Sequence, residues 1–156
     1  KCCMKIIFLL KKNVYIVLYN SYNLFLKLIL GKFMKKEKNK VFTPKEIEEK
    51  LNTEFIGWKY DGKWIRKIFK THSWKSTIMV VNTIGHIAEI GWHHPDLQVS
   101  YAFVEVKLMT HSEKGITNLD FALAKKIDEV IYWNPKKDND FLEGTPEDPR
   151  FAYIKK

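Results

Sequence analysis

The chain has almost no cysteine: among its 156 residues only Cys2 and Cys3 carry a thiol. Adjacent cysteines rarely bridge each other, and the sequence has no third cysteine to pair with either. A disulfide framework and a cysteine-based zinc site are therefore both excluded. This composition fits a reducing compartment, and we expect a cytoplasmic protein.

Acidic residues are missing from the first 36 positions, which hold eight of the 27 lysine and arginine residues. The rest of the chain has 19 basic and 18 acidic side chains, so +8 of the net charge of +9 belongs to the N-terminal part. A nucleic-acid-binding domain needs a basic face on its folded part. The near-neutral remainder argues against direct nucleic-acid binding.

The sequence also has no uninterrupted apolar run of about 18 residues, which a transmembrane helix requires. Lys11, Lys12, Asn20 and Lys27 break the apolar segments near the N-terminus, so membrane binding is not expected. An acid-free, lysine-bearing, hydrophobic start is typical of a targeting leader, nuclear or organellar. It also fits sequence upstream of a start at Met34, or an ordinary helix. We expect residues 1–40 to be a leader and linker outside the functional domain.

The middle of the chain predicts three helices and two β-hairpins. Thr43, Ser73 and Thr117 each stand in an N-cap position before a segment of helical apolar periodicity. Asp61-Gly62 is typical of a two-residue hairpin turn. The predicted elements are a helix from Pro44 to about Asn52, strands at 57–60 and 63–70, a helix from Trp74 to Gly91, strands at 97–101 and 103–110, and a helix from Thr117 to Ile131.

This α-ββ-α-ββ-α order predicts an α+β fold, a four-stranded antiparallel sheet with helices packed on one face. We expect the functional domain to span residues 41–133. In the second helix one side is expected to face the core, and its residues are Ile78, Val81, Gly85, Ala88 and Trp92, with Ile84 and Ile87 widening the stripe. Residues 134–156 contain prolines and a glycine in place of a periodic pattern, which predicts an irregular C-terminal extension.

The chemistry of the sequence concentrates in Glu89-Ile90-Gly91-Trp92-His93-His94-Pro95, followed by Thr110-His111. Imidazole titrates nearest neutrality of all side chains, so a histidine cluster is suited to acid/base catalysis. Glu89 lies four residues before His93, within reach to orient its ring. Pro95 disfavours helix at His94 and so predicts a change to extended backbone.

The third histidine is expected to return to the first two through the second hairpin. A tight turn at Ala102-Phe103 would place Tyr101 opposite Val104 and His94 opposite His111. A metal site is the competing explanation for three histidines. Zinc takes its ligands in tetrahedral order, to which adjacent histidines are poorly suited, so we favour acid/base chemistry.

Together these motifs resemble the pterin-4a-carbinolamine dehydratases. The resemblance rests on Glu89-x-x-x-His93-His94-Pro95, on Thr110-His111 and on Gly115-Ile116-Thr117-x-x-Asp120, and it covers roughly residues 43–131. It implies the same α+β fold, assembly into homodimers or homotetramers, and catalysis without metal or organic cofactor. The implied reaction is dehydration of 4a-hydroxytetrahydrobiopterin to quinonoid dihydrobiopterin, a step of tetrahydrobiopterin recycling.

The resemblance also assigns roles to individual residues. His93 and His111 become the acid/base pair, His94 holds the pterin, and Glu89, Pro95 and Asp120 position these groups or contact the ring. Two alternatives stay open. Some family members are dimerisation partners of a transcription factor, and a pterin- or folate-pathway accessory would bind a pterin without dehydrating it.

Overall fold

The computed structural model describes residues 39–137, 141–146, 148 and 150–155. Residues 1–38 of the expected leader and linker at 1–40 therefore lie outside the described residues. The elements, in chain order, are α1 (Pro44–Glu54), β1 (Lys59–Tyr60), β2 (Ile65–Lys70), α2 (Trp74–Gly91), β3 (Asp96–Ser100), β4 (Phe103–Leu108) and α3 (Asn118–Ile131). A short 3-10 helix follows at Pro135–Lys137.

The strands form one antiparallel sheet in the order β1-β2-β4-β3, which confirms the predicted α+β class. Alternate residues of the central strands β2 and β4 are fully buried, among them Ile65, Phe69 and Val106. They share one core with apolar side chains of all three helices, such as Ile47 and Ile84. The helices therefore cover one face of the sheet, as the period-two pattern requires.

The helix starts agree with the sequence. Thr43 and Thr117 each form a capping box, with Glu46 and Asp120 respectively at the third helical position. Ser73 caps α2 by accepting a hydrogen bond from the N–H of Ser76. Each cap supplies a partner for N–H groups that the first turn of a helix leaves unpaired. These local signals therefore fix where the helices begin.

The predicted two-residue turn of the first hairpin is wrong. Tyr60 pairs with Ile65, so the loop has four residues, Asp61 to Trp64. The Asp61 side chain closes this loop: its Oδ1 accepts from the N–H groups of Lys63 and Trp64, at 3.0 and 2.8 Å. An aspartate that bonds the backbone two and three residues ahead stabilises a longer turn than Asp-Gly alone predicts.

The predicted register of the second hairpin is also wrong. Ser100 pairs with Phe103, so the turn lies at Tyr101-Ala102, and the expected pairing of His94 with His111 does not form. Buried threonines hold this turn from outside the hairpin: Thr77 donates to the carbonyl of Tyr101, and the Thr71 N–H donates to that of Ala102, both at 2.8 Å. These tertiary bonds select the turn position.

The core-facing stripe of α2 agrees with the predicted one at Ile84 and Ala88 but not at Trp92. Its buried residues include Thr77, Val80, Ile84 and Ala88, whereas Trp92 is 78% exposed. The helix ends at Gly91, so the helical periodicity that would have brought Trp92 to the core stops one residue too early.

The described part of the C-terminal segment packs against the main fold. Ile154 forms an antiparallel bridge with Thr71, and the Lys155 N–H donates to the carbonyl of Lys70 at the end of β2. The Tyr153 hydroxyl donates to the carbonyl of Ile131. Across the residues described here, no helix has the length and apolarity needed to cross a membrane.

One charged pair lies on the helix-covered face of the sheet. Lys67 Nζ donates to Asp128 Oδ1 at 2.8 Å and to the carbonyl of Ile56 at 2.9 Å. The indole N–H of Trp58 donates to the other Asp128 oxygen at 2.9 Å. The ammonium group also lies 5.0 Å from the centre of the Tyr132 ring. Asp128 therefore links α3 to β2 and to the loop before β1.

Replacing Asp128 with alanine should lower the free energy of unfolding by about 2–3 kcal/mol, because it leaves the nearly buried Lys67 ammonium without its counterion. Glu129→Ala is the matched control, since Glu129 pairs with Lys126 on the exposed side of the same helix. That change should cost less than about 1 kcal/mol. Urea unfolding followed by circular dichroism measures both values, and equal losses would show that the Lys67–Asp128 pair contributes no more than a surface pair.

Candidate active site

The site is built around a contact between His93, just past the end of α2, and Asp120 in the first turn of α3. His93 Nε2 lies 2.8 Å from Asp120 Oδ1. The Asp120 side chain is fully buried, and that of His93 is 13% exposed. An ionised carboxylate only accepts hydrogen bonds, so Nε2 carries a proton and donates it to Asp120. This leaves His93 Nδ1 as the nitrogen that can exchange a proton in the neutral ring.

The second oxygen of Asp120 is held from the opposite side. It accepts from the N–H of Thr117 at 2.7 Å and from the hydroxyl of Thr110 at 2.8 Å. The two threonine hydroxyls lie 2.7 Å apart. Each hydroxyl has one proton and Thr110 gives its own to Asp120, so Thr117 must donate to Thr110. The chain of donors thus runs from Thr117 through Thr110 to Asp120.

Asp120 therefore has two functions, one for each oxygen. Oδ2 caps α3 through the Thr117 N–H, as the spacing alone predicts. Oδ1 fixes the ring of His93. The same carboxylate also joins the end of α2 to the Thr110-His111 segment, because Thr110 immediately precedes His111.

The outer part of the site contains His94 and Glu89. His94 Nε2 lies 3.0 Å from Glu89 Oε2, and both side chains are more than half exposed. The expected pairing of Glu89 with His93 is therefore wrong. Trp92 adopts the left-handed conformation, with φ 49° and ψ 42°, and this turns the chain out of the helix before His93. Because the helix ends before His93, the four-residue spacing no longer places Glu89 and His93 on the same helical face.

His111 opens the loop that leads from β4 to α3. The loop is closed by the bridge between Thr110 and Gly115, and the side chain of His111 is exposed. The ring of Trp64 meets the His111 ring edge-to-face, with centroids 5.5 Å apart and planes at 71°. A Cβ at position 115 would lie 2.6 Å from Cγ1 of Val41, so a larger residue than Gly115 would have to displace that side chain.

The sequence did not indicate what three residues do at this site: Thr110, Thr117 and Trp64. Thr117 carries a visible cap signal and Thr110 precedes a candidate histidine, but neither pattern reveals that their hydroxyls are bonded to each other. Trp64 approaches His111 through the pairing of β2 with β4, which places Ile65 opposite Leu108. That pairing joins the two hairpins, and no local signal predicts it. Pro95 is half-buried at the start of the extended segment, as expected.

The model of the family described as pterin 4 alpha carbinolamine dehydratase matches residues 40–130, more than half of the chain. This chain belongs to the pterin-4a-carbinolamine dehydratase family. The matched span contains all six predicted site residues, the interacting threonines and Trp64.

Individual relatives agree with this assignment. A protein of Aquifex aeolicus, named as a candidate pterin-4-alpha-carbinolamine dehydratase, is 53% identical over 87 residues, which cover 55% of this chain and 88% of the relative. A protein of Sulfurisphaera tokodaii with the same name is 45% identical over 92 residues, covering 59% of this chain and 98% of the relative. The matches thus cover most of the length of these relatives and slightly more than half of this chain.

A solved structure shares the fold. The crystal structure of a transcriptional coactivator/pterin dehydratase from Brucella melitensis has a TM-score of 0.54 and 32% sequence identity. The likeness covers 58% of this chain and 98% of that chain. Within the described residues of our protein, no three side chains of the histidine, cysteine, aspartate or glutamate types are grouped so as to hold a metal ion.

Proposed function

We propose that this pterin-4a-carbinolamine dehydratase family member removes water from 4a-hydroxytetrahydrobiopterin to give quinonoid dihydrobiopterin, a step in the recycling of tetrahydrobiopterin. The observation that carries the proposal is the buried Asp120–His93 pair. A buried carboxylate that fixes the ring of a partly exposed histidine suits that histidine to general acid/base catalysis. Family membership supplies the substrate class.

The proposed reaction breaks the C4a–O bond and forms a C4a=N5 double bond. An imidazolium gives its proton to the departing hydroxyl, which leaves as water, and a neutral imidazole accepts the proton from N5. His93 and His111 take these two roles, and proton exchange with solvent restores both groups. Each proton transfer contributes about 10²–10⁴-fold to the rate. His94, held by Glu89, binds and polarises the pterin.

The inner and outer histidines are suited to different tasks. His93 is almost enclosed and has one ring nitrogen committed to Asp120, so its remaining nitrogen has a defined direction. His94 is more than half exposed and pairs with an exposed Glu89, which suits a group that contacts substrate on entry. This division favours His93 over His94 as a proton-transfer residue.

The test is stopped-flow decay of chemically generated 4a-hydroxytetrahydrobiopterin, with and without the protein. We expect the first-order decay constant to rise in proportion to protein concentration. Serum albumin at the same concentration controls for general catalysis by surface histidines and carboxylates. A decay constant that does not exceed the albumin control would refute the dehydratase proposal.

We also propose that residues 41–133 form the catalytic domain and that residues 1–40 and 134–156 do not take part in the chemistry. All the side chains given a role lie between Glu89 and Asp120. A chain that lacks residues 1–38 should therefore retain its rate in the same assay. A large loss with an unchanged circular dichroism spectrum would show that the N-terminal segment contributes to the site.

The alternative role is that of an interaction partner, since the name of the Brucella melitensis protein includes transcriptional coactivator. Association through a surface has no need of a fully buried aspartate bonded to a histidine and to Thr110 and Thr117. The arrangement around Asp120 therefore favours the dehydratase. A pterin-pathway accessory protein would bind pterin in a titration while failing the decay assay.

A further inference from the structure

Trp92 stands in a backbone conformation that its side chain disfavours. Its φ of 49° and ψ of 42° lie in the left-handed region, where a bulky residue is strained. Among the described non-glycine residues, Lys114 at φ 52° is the other one with positive φ. Helices commonly end with glycine at such a position. Trp92 instead occupies it directly before His93.

The residue before Trp92 is a glycine that does not need to be one. Gly91 is the last residue of α2, and a Cβ added there would meet nothing within 4 Å. The fold therefore has no steric need for glycine at 91, whereas the left-handed position at 92 favours one. Exchanging the two residue types would relieve both positions. The order Gly-Trp is thus unfavourable for the backbone, which indicates that the side chain at 92 is needed for something else.

Packing in the core does not explain why a tryptophan stands at position 92. The Trp92 side chain is 78% exposed and lies outside the hydrophobic core. Its ring meets that of His94 edge-to-face, with centroids 5.6 Å apart and planes at 74°. His94 in turn is held by Glu89. The indole therefore stands beside the outer histidine of the site with most of its surface free.

We propose that Trp92 is a stacking wall for the pterin ring, which makes it a determinant of substrate binding that acts without transferring a proton. This inference rests on the proposed function, because it takes a pterin as the ligand. A pterin is a flat bicyclic heteroaromatic ring, and an exposed indole face recognises such rings by offset stacking. The strained backbone holds the indole next to His94.

Trp92→Gly should make the protein more stable and the binding weaker. We expect the melting temperature to rise by roughly 2–5 °C, because the left-handed strain is released. We expect KM for 4a-hydroxytetrahydrobiopterin, and the Kd for the stable probe 7,8-dihydrobiopterin, to rise about tenfold with kcat changed less than about twofold. Trp92→Phe keeps a ring and should restore most of the affinity.

Lys114→Gly is the matched control for strain release, since it relieves the other left-handed non-glycine residue. It should raise the melting temperature by a similar amount and leave KM and Kd unchanged. Isothermal titration with 7,8-dihydrobiopterin measures Kd independently of turnover. A wild-type protein that binds this probe, together with a Trp92→Gly variant of equal Kd, would overturn the stacking proposal and leave the dehydratase proposal standing.

Two other results also decide the question. If the wild type binds no 7,8-dihydrobiopterin and does not accelerate the decay, the proposed function fails and the stacking role fails with it. If Trp92→Gly changes the oligomeric state in size-exclusion chromatography while the Kd per subunit is unaltered, Trp92 is a subunit contact and the stacking proposal is wrong.

Discussion

Replacing either His93 or His111 with alanine should lower kcat for 4a-hydroxytetrahydrobiopterin dehydration by about 10²–10⁴-fold, because each change removes one of the two proton-transfer groups. The fold should be retained, since neither imidazole belongs to the hydrophobic core. His93→Ala should also lower the stability, because Oδ1 of the buried Asp120 loses its partner. Stopped-flow measurement of kcat and KM separates loss of chemistry from loss of binding, and KM should change less than kcat.

The pH profile adds a second readout. The wild type needs one protonated and one neutral histidine, so kcat/KM should be bell-shaped in pH. Each single variant should lose the limb that belonged to the missing group. This distinguishes the acid from the base without prior assignment.

His86→Ala is the matched control. His86 is exposed on α2, seven residues before His93, and has no contact in the site described above. Its variant should keep the wild-type rate and pH profile. Wild-type rates for both His93→Ala and His111→Ala would remove the acid/base assignment, whatever the family membership of the chain.

The sequence predicts which side chains of a strand face the core better than it predicts which residues pair across neighbouring strands. In both hairpins the predicted register is wrong by two residues, yet an even shift keeps every side chain on its own face of the sheet. Val104 and Val106 are therefore buried as the alternation predicts. The register itself depends on contacts such as that of Thr77 with the Tyr101 carbonyl, which joins residues far apart in the chain.

In the candidate site, too, local patterns predict which residues matter but not which residues contact each other. Local patterns identify Glu89, His93, His94 and Asp120 as chemically unusual, but they assign Glu89 to the wrong histidine. The pairing changes because one residue, Trp92, turns left-handed at the end of α2. No residue propensity predicts a left-handed tryptophan at the end of a helix. The left-handed conformation would be expected at the preceding Gly91.

Asp120 is expected to control which nitrogen of the His93 ring carries the proton. Asp120→Asn should lower kcat by about 10²–10⁴-fold while leaving stability nearly unchanged, since reversing the tautomer of a catalytic histidine has an effect of this order. Oδ2 of Asp120 accepts from both Thr110 and Thr117, so the asparagine oxygen must take that place. The amide NH₂ then faces His93 Nε2.

An NH₂ group only donates, so His93 Nε2 would have to accept and the ring proton would move to Nδ1. That is the nitrogen which the wild type keeps available for proton exchange. The imidazolium would also lose the negative charge that stabilises it. The ¹⁵N chemical shifts of the His93 ring report this tautomer directly, and we expect them to change from the Nε2–H to the Nδ1–H pattern.

Asp128→Asn provides the matched control, because it makes the same chemical change two turns later on α3. It weakens the ion pair with Lys67 and should therefore lower stability while kcat stays at the wild-type value. The two variants thus predict opposite outcomes for rate and stability. If Asp120→Asn keeps both the wild-type kcat and the Nε2–H tautomer, Asp120 acts only as the cap of α3, and its contact with His93 has no part in the chemistry.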